Sequence, residues 1–220
     1  MSGFIVTVDG PAGSGKSTIA KLIAKKYGLT YLDTGAMYRM IALYALKHNV
    51  NLENGKEIAD MLEKARLDIQ GNVFYLDGED VSEEIRSPQV NNIVSNVAAI
   101  KEVRHKLVDM QREIGNGKRI IMDGRDIGTT VFPNADVKIF LIASAETRAL
   151  RRLKEYEEKK VATTFDEVLA SIKERDRIDS TRKESPLVKA SDAHEVDSSK
   201  MSIDDVLATI SKYIDAKLGD

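Results

Sequence analysis

Short apolar runs alternate along this chain with stretches of helical period. "GFIVTV" (3–8) is β-branched and nearly continuous, which predicts a buried parallel strand. Over 15–27 the apolar Ile19, Leu22 and Ile23 recur at helical spacing, and Gly28 suits the position just past a helix end. "TYLD" (30–33) predicts a second strand, and "TGAMYRMIALYALKH" a helix with Thr34 as its N-cap. Between about 50 and 100 the apolar runs shorten and charge is mixed, so this stretch reads as an insertion with small strands at "ARLDI" and "NVFYLDGEDV". Asp77-Gly78 predicts a hairpin turn there. A helix over 100–115 carries Val103, Leu107, Met110 and Ile114 on one stripe. "RIIMD" (119–123) and "DVKIFLIAS" (136–144) predict strands covered on both faces. Helices are expected near 145–160 and 165–180, a last strand at "AHEVD" (193–197), and a helix from Ser202, where Ser202-x-x-Asp205 resembles a capping box. Strands alternating with helices predict an α/β fold with a parallel sheet.

Composition narrows the function classes. With 33 basic and 35 acidic residues the net charge is −2, which disfavours a nucleic-acid binder. There is no cysteine, so disulfides and thiolate metal sites are excluded. The N-terminal stretch does not resemble a signal peptide and no apolar run is of spanning length, so a cytoplasmic protein without a membrane partner is expected.

The candidate chemistry begins in "DGPAGSGKST". Gly10, Pro11, Ala12, Gly13, Ser14, Gly15, Lys16 and Ser17 match G-x-x-x-x-G-K-S/T, and the match lies between a predicted strand and a predicted helix. Glycines let consecutive backbone N–H groups turn inward around an anion, and the new helix adds its positive end. Lys16 is then expected at the β- and γ-phosphates of a nucleoside triphosphate, ATP or GTP, and the Ser17 hydroxyl at Mg²⁺, with Thr18 completing the donor loop. No N-K-x-D base-reading motif is present, which argues against a switch GTPase and for a small-molecule kinase.

An acceptor bearing phosphate needs its own cations. Arg39 follows Thr34 in "DTGAMYR", and Arg125 and Asp126 follow Asp123 in "MDGRDIG". The stripe Phe165, Val168, Leu169, Ile172 continues at helical spacing into Arg175, Asp176 and Asp179, with Arg182 three residues on. A buried helix face that turns charged forms either an ion-pair network or the wall of a polar cleft. Arg148, Arg151 and Arg152 share another face and are candidates to close over a transferring phosphoryl group.

Taken in order, "DGPAGSGKST", "DTGAMYR", "MDGRDIGTTVFP" and "KERDRIDSTR…SPL" resemble the bacterial cytidylate kinases, within the P-loop nucleoside monophosphate kinases. The resemblance implies a P-loop NTPase-type parallel sheet of about five strands flanked by helices, in one domain over 1–220. Its core would be 1–49 and 116–220, its acceptor-binding insertion about 50–115 and its short lid about 148–163. It implies phosphorylation of CMP and dCMP by ATP with Mg²⁺, in a monomer. Thr34 would touch the cytosine or its surroundings, and Ser95 and Arg104 would read the base. Arg39, Arg125 and Arg182 would grip the acceptor phosphate. Asp126, Arg175 and Asp179 would orient the pentose and the arginines, while Arg148 and Arg151 would belong to the lid over the donor phosphates. Another small acceptor such as UMP, or a nucleotide-binding regulator without turnover, is the alternative. Closure of insertion and lid, with "EEKKVATT" (157–164) as a moving part, is expected to exclude water.

Overall fold

The computed structural model describes residues 3–158 and 160–219. β1 (Phe4–Asp9) leads through a glycine-rich loop into α1 (Lys16–Tyr27), and β2 (Thr30–Asp33) into α2 (Thr34–Lys47). Then come α3 (Gly55–Lys64), β3 (Leu67–Gln70), β4 (Val73–Leu76), β5 (Glu79–Asp80), a 3-10 turn (Glu84–Arg86), α4 (Pro88–Ala99) and α5 (Lys101–Gly115). β6 (Arg119–Gly124), a π turn (Ile127–Val131), β7 (Val137–Ile142), α6 (Ala145–Glu158), α7 (Phe165–Thr181), β8 (His194–Asp197) and α8 (Ile203–Leu218) complete the order. The chain divides into two compact units, Met1–Leu32 with Gly115–Asp220, and Asp33–Ile114.

The first unit is built on a five-stranded sheet of order β2-β6-β1-β7-β8. β1 is parallel to both β6 and β7, and β7 is parallel to β8. Asp9, the last residue of β1, lies level with Gly124, the last of β6, so the loops leaving these two strands start side by side, while β7 runs two residues past its level partner Phe140. The near-continuous apolar runs follow from cover on both faces. Val6, Val8, Ile121, Ile139 and Leu141 pack in one cluster with Ile19 and Ile23 of α1 and Val206, Ile210 and Ile214 of α8. Each such side chain stabilises the fold by about 1.5–3 kcal/mol when fully buried. Ser202 and Asp205 form the predicted capping box of α8, and Thr164 with Glu167 forms another on α7. Lys159, inside the polar segment expected to move, lies outside the described residues. Among the described residues no helix is long and apolar enough to cross a membrane.

The second unit joins four helices to the antiparallel sheet β3-β4-β5. Its β4–β5 connection is the predicted Asp77-Gly78 turn, with both residues at positive φ (53° and 88°) as a tight hairpin requires. The unit starts at Asp33, whereas the sequence reading began the insertion near residue 50. The reason is packing: α2 lies against α4, α3 and the 3-10 turn. Two of its helices went unpredicted. Asn54 caps α3, and Ser87 caps α4 with Pro88 in its first turn, but the mixed charge around both hid these signals. One prediction is corrected. The N-cap of α2 is Asp33, whose extended backbone lets its carboxylate accept from the Ala36 N–H (3.0 Å); Thr34 is already the first helical residue, and buried.

A phosphate-binding loop and an arginine-rich helix end

Gly10 has a φ of 151°, open to glycine but not to other residues, and a Cβ there would lie 2.0 Å from the Leu141 carbonyl oxygen. The chain turns off β1 hard against β7 only because no side chain is present. Gly13 and Gly15 also take positive φ, and the loop curls into the N-terminus of α1. Pro11, Ala12 and Ser14 are buried within it, and the Ser14 hydroxyl donates back to the Pro11 carbonyl (3.1 Å). Lys16 reaches over the loop and donates to that same carbonyl (2.7 Å). Burial, reinforced by the Arg125 charge, pulls the Lys16 ammonium down to a pKa of about 7. Thr18, the third residue of α1, is exposed.

The Ser17 hydroxyl donates to Asp123 Oδ2 (2.8 Å), and the Tyr31 hydroxyl to Asp123 Oδ1 (2.8 Å). A hydroxyl and a buried carboxylate at the mouth of the loop are hard oxygen donors of the kind Mg²⁺ takes. Among the described residues no cluster of His, Cys, Asp and Glu could cage a metal by itself. The Ser17 and Asp123 oxygens fit Mg²⁺ as donors.

The charged end of α7 forms a network with the loop after β6. Arg125 Nε donates to Asp179 Oδ2 (2.9 Å). Arg182, buried, donates through Nε and a terminal nitrogen to the Ser185 carbonyl (2.9 and 2.7 Å), and lies 3.8 Å from Asp126 and 3.9 Å from Asp179. Burial pushes Asp179 up, but Arg125, Arg182 and Arg175 outweigh it and hold the carboxyl below the usual range. Arg175 is pulled down to about 10, first by burial and then by the Arg125 charge, and its buried Nε has no hydrogen-bond partner among the described residues. The Arg125 charge thus disfavours the charged forms of both Lys16 and Arg175, and a polyanion placed among these cations would offset that. These groups fit phosphate.

The lid arginines are already engaged. Arg148 is buried; it donates to the Ala143 carbonyl (2.9 Å), to the Ala12 carbonyl in the loop (3.2 Å), and twice to Asp176 (3.0 and 2.7 Å). Arg151 donates to the Ser198 hydroxyl and carbonyl (3.3 and 2.8 Å), and the Ser198 hydroxyl in turn donates to the Ser14 carbonyl (3.2 Å).

In the second unit, Arg39 donates to the Ile85 carbonyl (3.2 Å) and to Asn91 Oδ1 (2.6 Å). Arg104 is buried, donates to the Ala98 carbonyl (3.2 Å), and stacks its guanidinium 5.1 Å from the centre of the Tyr38 ring. Ser95 is buried on α4. Asp33 accepts from Arg86 (3.1 Å) as well as capping α2. Sequence reasoning passed over Asp9, Asp33, Asn91 and Ser198. Their partners lie far along the chain or on backbone atoms, which leave no local spacing to read.

The parallel sheet and its loop define a P-loop nucleotide-binding protein of the α/β class. The sequence profile described as cytidylate kinase matches residues 6–216. A cytidylate kinase of Fusobacterium nucleatum is 61% identical over 215 residues, covering 98% of this chain and 99% of that one. One from Clostridioides difficile is 49% identical, covering 96% and 97%. Among solved structures, an uncharacterised protein of Eubacterium ventriosum superposes with a TM-score of 0.56 at 15% identity, covering 97% and 98%, a likeness of fold alone. The chain belongs to the cytidylate kinase family.

Proposed function

We propose that this chain transfers the γ-phosphoryl group of ATP to CMP and dCMP, giving ADP with CDP or dCDP. The observation that carries this reading is the meeting of a full-length family match with a phosphate-binding loop beside a crowd of cations. When bound, Mg²⁺ would neutralise donor phosphate charge; Ser17 and Asp123 are the residues that would hold it, directly or through water.

The donor triphosphate lies along Gly10–Thr18, with Lys16 exchanging its bond to the Pro11 carbonyl for phosphate oxygens. Arg39, Arg125 and Arg182 grip the acceptor phosphate. Asp126 and Asp179 hold those arginines in line, and Asp179 with Arg175 orients the pentose. Thr34, Ser95 and Arg104 read the cytosine, with the Tyr38 ring steadying the Arg104 plane. Arg151 and Arg148 complete the donor side. The acceptor atom is a phosphate oxygen, already nucleophilic at neutral pH, so no general base is needed. Catalysis rests on alignment and on fixed positive charge where the transition state spreads negative charge. The balanced charge of the chain supports small-molecule substrates rather than nucleic acid. We read the enzyme as a cytoplasmic monomer with no membrane partner.

The test is ADP release from ATP with Mg²⁺ and, in turn, CMP, dCMP, UMP, AMP, GMP or no acceptor. Turnover highest with CMP and dCMP and negligible without acceptor supports the proposal. Preference for UMP, or nucleotide binding with no turnover on any acceptor, replaces it with another kinase or a regulator.

A further inference from the structure

We propose that Asp9 is a positioning residue for the acceptor site: its carboxylate holds the backbone turn that aims Arg125 and Asp126. Asp9 stands at the end of β1, immediately before the phosphate loop, and is buried. It does not point into that loop. Oδ1 accepts from the Ile127 N–H (2.8 Å) and Oδ2 from the Gly128 N–H (2.7 Å). Those donors open the π turn that follows Arg125 and Asp126 directly.

The turn has a register of its own. The Thr130 and Val131 N–H groups both bond to the Asp126 carbonyl (2.8 and 3.2 Å), and Phe132 N–H bonds to the Ile127 carbonyl (2.7 Å). The Ile127 and Gly128 N–H groups are the ones Asp9 takes up, at the turn's open end. A carboxylate is the side chain that suits this task, because both its oxygens accept. An amide in the same place would set its NH₂ against one backbone N–H. Burial raises the Asp9 pKa to about 6 against the pull of the two N–H bonds, so at neutral pH both oxygens remain acceptors.

Gly128 shows how close the contact is. A Cβ there would stand 2.9 Å from Thr7 Oγ1, 3.2 Å from Lys138 Cδ and 3.3 Å from Asp9 Oδ2. The turn can press onto β1 only with no side chain at that position. One residue thus ends the strand that launches the donor loop and fixes the first residues after Arg125 and Asp126. A small rotation of residues 126–128 would swing the Arg125 guanidinium off its bond to Asp179. A misplacement of that kind can cost up to about a hundredfold in rate.

This inference rests on the proposed acceptor role of Arg125. The experiment compares Asp9→Asn, Arg125→Met and the double variant in the full chain. KM for CMP and kcat are measured, with the Kd of ATP taken separately by equilibrium binding. Asp9→Asn should raise KM for CMP or lower kcat by about tenfold or more while the Kd of ATP stays within about twofold. The double variant should be worse than Arg125→Met alone by clearly less than the effect of Asp9→Asn in the parent, since the two changes share the Arg125 interaction. If Asp9→Asn weakens ATP binding as much as CMP use, Asp9 supports the donor loop or the fold at large, and the inference is overturned. If Arg125→Met impairs CMP use but Asp9→Asn does not, it is overturned while the acceptor reading stands. If Arg125→Met changes neither KM for CMP nor kcat, the acceptor reading fails and takes this inference with it. Should Asp9→Asn not fold, Gly128→Ala attacks the same contact from the other side, and the same outcomes decide.

Discussion

Arg148 on α6 and Asp176 on α7 meet fork to fork, through two hydrogen bonds of 3.0 and 2.7 Å. The same guanidinium reaches the Ala12 carbonyl inside the phosphate loop and the Ala143 carbonyl just beyond β7. A residue expected to swing over donor phosphates therefore also ties the helix bearing Arg175, Asp179 and Arg182 to the loop itself. Removing Asp176 leaves a buried guanidinium half-satisfied. Asp176→Ala should destabilise the protein by about 3 kcal/mol, at the low end for a buried pair because Asp176 is partly exposed. Denaturant unfolding reads this. Nucleotide affinity should fall as well, through the loosened Ala12 anchor. Arg148→Lys should not restore it, because one ammonium cannot supply the fork.

Lys16 behaves oppositely. Its buried charge sits near Arg125, and burial already disfavours it. Lys16→Ala should leave the ligand-free protein at least as resistant to heat as the parent, while turnover falls by about a hundredfold or more as a positioned cation is lost. Thermal unfolding without nucleotide and steady-state kinetics give the two halves. A variant with near-normal turnover would remove Lys16 from the mechanism.

The depressed Lys16 pKa also predicts a linkage. In the ligand-free protein the amine is largely neutral above about pH 7, yet phosphates favour the ammonium. ATP binding at pH 8.5 should therefore take up close to one proton, and affinity should weaken by up to about tenfold per pH unit above 7. Calorimetry in buffers of differing ionisation enthalpy counts the proton. The effect on stability has the reverse sense. The folded pKa lies below the ordinary 10.5, so the unfolded chain binds more protons between about 7 and 10.5. This group's contribution to the stability of the free protein should rise with pH across that window.

How much of this was legible in the chain depends on what carried each feature. β1, β6 and β7 were readable because two-sided burial writes itself as an unbroken apolar run. The phosphate loop was readable because its backbone needs glycines at fixed spacing. The charged end of α7 was readable because Arg175 and Asp179 continue an apolar stripe, and both are drawn into the ionic network there. The cap of α2 was misplaced by one residue because Asp33 and Thr34 are both good caps, and only backbone angles choose between them. Asp9 and Ser198 were invisible because their partners lie 118 and 184 residues away in sequence. α3 and α4 were missed although Ile58, Met61 and Leu62, and Val90, Val94 and Val97, keep helical spacing. Polar residues diluted both stripes.

The pairing of Ser17 with Asp123 yields a prediction with two opposite signs. Asp123 accepts from Ser17 on Oδ2 and from Tyr31 on Oδ1, and the residue is buried. Asp123 would help to hold Mg²⁺, and its charge would then favour the ion with its nucleotide; in the absence of the ion the same charge would repel the triphosphate. Asp123→Asn keeps the shape and removes the charge. The Mg²⁺ concentration for half-maximal turnover should rise by about tenfold, as a hard ion loses an anionic partner. In EDTA, by contrast, the variant should bind ATP more tightly than the parent, because a like charge has been removed from the pocket. Titrating Mg²⁺ in the kinetic assay and ATP in a metal-free binding assay separates the two. Weakened ATP binding in both assays would mean that Asp123 serves mainly to hold Ser17 and Tyr31 in place.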